Sequence, residues 1–292
     1  MESNSSLSDS STTAGTLLAL DRALCGDIWA GDTAARMLET LCVDYGGRFA
    51  GSENYRGAAE YLAQQWRAAG LIGVRLEEFP IIGWERGEST LTILAPAVRG
   101  LPCIALPPAP ACDIEAEALD LGYGLDPDLA AAGDAVRGKI VLVRAGAPPG
   151  QRPAHRLEKY IRAQQAGAAA FLFYDGEPGM LAATGSLHSD PDGPFDTLLP
   201  GAGLAYETGL ELARWLSRGP VTLRLSMTNR LRRDVSWNVV GDLPGDGAAP
   251  CVLVCGHLDG HDIAQGAIDN ASGIVAASEV ARALAAQSGA LG

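Results

Sequence analysis

Apolar positions recur at helical spacing early in the chain. Ala34, Met37, Leu38 and Leu41 follow Asp32 and Thr33, either of which fits an N-cap. Tyr55, Ala58, Ala59, Leu62, Trp66 and Ala69 mark one face of a second helix, which Gly70 ends. Gly46-Gly47-Arg48-Phe49-Ala50-Gly51-Ser52 lies between them as a glycine-broken loop. From Val74 to Leu94 the pattern turns strand-like. Arg75–Phe79 and Thr90–Leu94 flank Gly-Trp-Glu-Arg-Gly, which predicts a β-hairpin. Pro96 to Pro110 carries five prolines and reads as a linker or domain boundary. Further on, Ile140–Val143 and Ala168–Tyr174 are apolar enough for buried strands, with a helix over Leu157–Ala166 between them and another reaching Trp215. Val235–Gly241 predicts a strand, and Cys251–Gly256 a second, central one. A last helix runs from about Gly273 to Gln287, with Ser272 as its N-cap. Residues 1–15, rich in Ser and Thr, read as a disordered tail.

Composition narrows the class. The 292 residues are 47% apolar with 36 glycines, as in an Ala/Gly-rich α/β protein. The net charge of −13 argues against a nucleic-acid partner, since phosphate binding needs a basic surface. Arg230–Arg233 is then a solvated face. No run approaches the ~18 apolar residues of a membrane span, so no membrane partner is expected. The first residues lack the basic and apolar regions of a signal peptide, so the chain as written reads as cytoplasmic, with export open to a different start. Cys251 and Cys255 are expected as buried thiols, and His155 and His188 as solvated loop residues. There is no Gly-x-Ser-x-Gly elbow, phosphate loop or dinucleotide fingerprint, which sets serine hydrolases and nucleotide enzymes aside.

The chemistry collects where the Val252–Cys255 run ends. His257 and Asp259 follow it at once, and Asp269 comes before the last helix. An imidazole and carboxylates at a strand end suit a metal, because open α/β sheets bind ligands there. The stretch Gly256-His257-Leu258-Asp259, then Gly266-Ala267-Ile268-Asp269-Asn270-Ala271-Ser272-Gly273, resembles the di-zinc exopeptidases that include bacterial aminopeptidases and plasma glutamate carboxypeptidase. Arg48-Phe49-Ala50-Gly51-Ser52 between two helices is similar to the amino-terminal entry of the same family. The middle of the chain, with Gly138-Lys139-Ile140-Val141, a helix and Ala168-Ala169-Ala170-Phe171, resembles the protease-associated domain that interrupts such enzymes.

The resemblance implies an α/β fold: a mixed-sheet, phosphorylase/hydrolase-like zinc-peptidase domain interrupted by a β-rich α/β insert. The expected parts are a tail (1–15), the front of the peptidase domain (16–97), the insert (98–226) and the metal-site part (227–292). It also implies two zinc ions, with His257 on one, Asp269 bridging both and Asp259 catalytic in orienting the imidazole. The implied activity is that of a zinc-dependent exopeptidase of the metallo-aminopeptidase type, acting on peptides with a metal-activated water. The family's Glu-Glu pair, later Asp and final His have no counterpart here. Glu279 is followed by Val280 and reads as solvent-facing. The chain is therefore expected to cover the front half to two-thirds of such an enzyme. The alternative is a non-catalytic module that binds proteins or peptides through its insert. His261 and Asp262 are expected to line the pocket or face solvent.

Overall fold

The computed structural model describes residues 6–187, 190, 192–245 and 250–287, so His188 lies outside the described residues. Along the chain the helices are α1 (Ser6–Ala30), α2 (Thr33–Glu39) and α3 (Glu53–Ala68). Five strands follow: β1 (Ile72–Glu85), β2 (Ser89–Ala95), β3 (Arg99–Leu101), β4 (Ile104–Ala105) and β5 (Cys112–Asp120). Then come α4 (Asp126–Ala132), β6 (Ile140–Arg144), α5 (Arg156–Gln165), β7 (Ala170–Tyr174) and β8 (Gly201–Leu204). The last are α6 (Tyr206–Leu216), β9 (Thr222–Met227), β10 (Arg230–Asp242) and α7 (Ser272–Ala286). None of the described helices is long and apolar enough to cross a membrane. α1 already begins at Ser6, inside the stretch expected as a tail. Ser and Thr cost only tenths of a kcal/mol each in a helix, and no proline separates them from the Leu/Ala-rich residues that follow.

The chain forms two compact units, one from residues 82–233 and the other from the residues on either side. In the flanking unit, α3 is fixed by its sequence. Ser52 is extended (φ −78°, ψ 161°) and its Oγ accepts from the Tyr55 amide at 3.1 Å, satisfying one of the first-turn donors. Replacing Ser52 with Ala should lower stability by about 1 kcal/mol in a denaturant titration, and an unchanged midpoint would refute the cap. The buried face of α3 (Tyr55, Ala58, Ala59, Leu62) packs with Met37, Leu41, Trp237, Ile274 and Val275 into one core. Tyr55 also donates its hydroxyl to the Trp237 carbonyl at 2.7 Å.

Three expectations fail in this unit. β1 pairs with β10 in a two-stranded sheet, so it forms no hairpin with β2. The Cys251–Gly256 segment is not a strand. Val252 and Leu253 are 83% and 84% exposed, and Cys251 and Cys255 are exposed as well. A β-branched run supplies propensity, but a strand needs a partner edge to pair with, and this segment joins neither sheet. Ser272 stands inside α7, not at its cap; its Oγ donates to the Ile268 carbonyl at 3.0 Å.

The unit of residues 82–233 holds an eight-stranded sheet in the order β3-β2-β9-β5-β6-β7-β8-β4. β5 to β8 are parallel neighbours, and the remaining pairs are antiparallel. β7 is buried throughout and β6 through Val143, as parallel strands covered on both faces require. The proline-rich stretch is no linker. It supplies β3 and β4, the two outer strands, joined only by Pro102 and Cys103, so the sheet must curl until its edges nearly meet. Proline is tolerated beside edge strands because no ladder bond is lost there.

Candidate metal centre

The loop from His257 to Asp269 lies on the core of the flanking unit. Leu258 is buried there, while His257 and Asp259 on either side of it face outward, half exposed. Asp259 Oδ1 and the Asp259 carbonyl both stand 3.2 Å from His257 Nδ1. A carbonyl and a carboxylate only accept, so Nδ1 carries the proton. In the neutral ring Nε2 then presents its lone pair, and it faces Asp269 Oδ1 at 3.0 Å. Two such groups at that distance can share a cation, either a proton on Nε2 or a metal ion. An ion with bonds of ~2.0–2.1 Å could touch both, and a nitrogen–carboxylate pair is a set that zinc accepts. Among the described residues, no group of three or more His, Cys, Asp or Glu side chains is placed to hold a metal. The residues fit zinc as two donors of a set, with the Asp259 contact fixing the tautomer of one.

Local backbone explains the loop. Asp269 leaves the helical region (φ −115°, ψ 90°) just before α7, whose free first-turn amides favour a nearby carboxylate. Gly266 sits at φ +60°, and a Cβ there would come within 2.9 Å of the Asp269 carbonyl oxygen. The Gly46–Ser52 loop docks directly on this segment. A Cβ on Gly47 would stand 2.3 Å from the Asp262 carbonyl oxygen, so only glycine allows the approach. The Gly260 amide donates to the Arg48 carbonyl at 2.9 Å. His261 is half-buried and opens a turn, with the Ala264 amide donating to its carbonyl at 3.2 Å. Glu279, expected toward solvent, is only 4% exposed. Arg282 one turn on holds its carboxylate at 3.0–3.2 Å and also reaches Asp27 at 2.8 Å.

Residues 238–291 match Peptidase family M28, and residues 95–212 match the PA domain. The chain is thus similar to the M28 peptidases over its last part and to the PA domain over its middle. Among particular proteins, it is 31% identical over 248 residues to carboxypeptidase Q of Bos taurus, a match covering 80% of this chain and 50% of that one. The aminopeptidase from Aneurinibacillus sp. strain AM-1 superposes with a TM-score of 0.67 at 25% identity, over 91% of this chain and 61% of that one. The zinc aminopeptidase of Bacillus subtilis, at 24% identity and a TM-score of 0.64 over 87% of this chain and 57% of that one, shares the fold. The chain spans about half the length of the curated relatives it matches.

Proposed function

We propose that this chain supplies the first metal ligands of a zinc-dependent exopeptidase of the aminopeptidase type, acting on peptides. The observation that carries the reading is His257 between two carboxylates, with Asp259 on Nδ1 and Asp269 on Nε2. Bound zinc would polarise the scissile carbonyl and bring the pKa of its water towards 7. The chain's own residues do the positioning. Asp259 holds the imidazole in the Nδ1–H tautomer, which keeps Nε2 free as a ligand. The Asp269 side chain is 86% exposed, so its second oxygen is accessible to a second ion, which suits a bridging role. Glu279 is committed to Arg282 and is no candidate for the general base. Relatives named carboxypeptidase and relatives named aminopeptidase both match the chain, and the Aneurinibacillus aminopeptidase, at 25% identity, supports the latter reading.

Zinc should bind the 292-residue chain weakly, because two protein donors fall short of the usual three or four. A titration followed through the histidine ring signals in NMR should move His257, and His257→Ala should abolish the saturable part. Equal zinc binding by His257→Ala would sink the assignment, and a tight stoichiometric site would contradict the two-donor count.

A second reading, a binding module working through the PA domain, has one observation behind it. Met180 and Leu181 are exposed at a loop tip where Glu207 accepts from the Gly179 and Met180 amides at 2.7 and 3.0 Å. On that reading His257→Ala would leave the biological effect intact.

A further inference from the structure

Arg48 is the largest fully buried side chain in the protein's described part, at 0% exposure. Arginine cannot shed its charge in a protein, so a buried guanidinium must be met by acceptors. Here they are all backbone carbonyls. Nε donates to Leu258 at 3.0 Å; one terminal nitrogen donates to Leu41, Gly46 and Gln265 at 2.6, 2.8 and 2.9 Å; the other donates to Gly266 at 3.2 Å. No hydrogen-bonded carboxylate accompanies it in these contacts, although Asp259 is near enough to favour the charge. Three of the five carbonyls belong to the 257–269 loop, one at its start beside His257 and two shortly before Asp269. The Arg48 carbonyl adds a fourth tie through the Gly260 amide, and the Ala271 amide then closes onto the Gly266 carbonyl at 3.0 Å.

A residue whose only role was to fill the core would not be a charged one. Five carbonyls pointing at one planar cation fix both ends of the loop relative to a single rigid group, which is how outer partners orient metal ligands. We propose that Arg48 is a positioning residue for the metal centre: by gathering the Leu258, Gln265 and Gly266 carbonyls it sets the separation of His257 Nε2 from Asp269 Oδ1. The proposal rests on the reading that these two side chains hold zinc.

The test compares the 292-residue chain with Arg48→Lys, Arg48→Met and His257→Ala. Three quantities are read: zinc affinity from the NMR titration, hydrogen–deuterium exchange of the Gly260 and Ala271 amides without metal, and the thermal melt. Lysine keeps the charge but reaches fewer carbonyls. Arg48→Lys should keep a cooperative melt, exchange faster at both amides and bind zinc roughly tenfold more weakly, with Arg48→Met falling towards roughly a hundredfold. If Arg48→Met does not fold, Arg48→Lys alone decides. Variants with wild-type zinc affinity, or with unchanged exchange at Gly260 and Ala271, would overturn the proposal while leaving the zinc reading intact. A wild-type titration that coincides with that of His257→Ala defeats the zinc reading itself, and Arg48's role in it as well.

Discussion

Gly203→Ala should destabilise the unit of residues 82–233 by roughly 3 kcal/mol or more, among the larger effects of any single methyl group. Gly203 lies in β8, paired with Phe173 of β7 on one side and Ile104 of β4 on the other. A Cβ there would stand 1.8 Å from the Ala183 carbonyl oxygen and 3.2 Å from Leu106 Cδ2. The Ala183 segment cannot retreat easily, because its amide donates to the Leu204 carbonyl at 3.0 Å and Ala182 bridges to Ala205. β8 cannot move either without breaking a ladder. Gly100→Ala is the matched control. It too lies in a strand of this sheet, opposite Thr92, but a Cβ there meets only open space. That change should stay within about 0.5 kcal/mol. Denaturant midpoints of the two variants check the argument, and equal midpoints would show that β8 is not closed over by the Ala183 segment.

Gly203 illustrates why part of this fold was unreadable beforehand. Periodicity reports what an element does on its own faces, so α3 and the apolar runs of β6 (through Val143) and β7 were legible. A close approach by a distant segment leaves no period. The same limit hid the burial of Arg48: its motif is similar to the family's amino-terminal entry, but along the chain it is one charged residue in a glycine-broken loop, and no period marks the carbonyls that surround it. The proline-rich stretch misled because proline at a sheet edge and proline in a linker look alike along the chain. Val252–Cys255 misled for the opposite reason, since apolar β-branched residues announce a strand whether or not an edge is there to receive them. Glu279 required its partner Arg282 before burial made sense. The candidate-site side chains were legible in another way. His257, Asp259 and Asp269 are picked out by residue type and by the motif resemblance, and in the structure His257 stands 3.2 Å from Asp259 and 3.0 Å from Asp269; what they bind remains the proposal above.

Lys159 yields a prediction whose size depends on pH. The residue is 1% exposed, and its ammonium donates to the Arg144 and Gly146 carbonyls at 2.6 and 2.8 Å beside the Tyr123 ring. Burial pushes its pKa down to about 8, with Arg162 adding to the fall and Asp128 opposing it. In the unfolded chain the amine keeps its ordinary value near ~10.4. Below about 8 both states are protonated, and the folded state bears the full cost of desolvating the charge. Between there and ~10.4 the unfolded chain binds more protons, so this group's contribution to stability rises with pH and then levels off. At ~1.4 kcal/mol per pKa unit the rise is on the order of 3 kcal/mol at most. Cys103 and Cys112, pushed up by burial to about 11, and Tyr160, pushed up to about 12, work the other way: each keeps its proton in the folded state and loses stability as pH climbs. The wild-type melt alone therefore mixes opposing trends, and the difference between wild type and Lys159→Met isolates the lysine. At neutral pH the variant should be the less stable, since it leaves two buried carbonyls without a donor at ~1–3 kcal/mol each, against which the relief of the buried charge counts only in part. Urea titrations between pH ~7.5 and ~10.5 should then show wild type gaining on Lys159→Met by up to about 3 kcal/mol. A difference that stays flat across that range would mean water reaches the ammonium, because a solvated amine has no desolvation cost to lose.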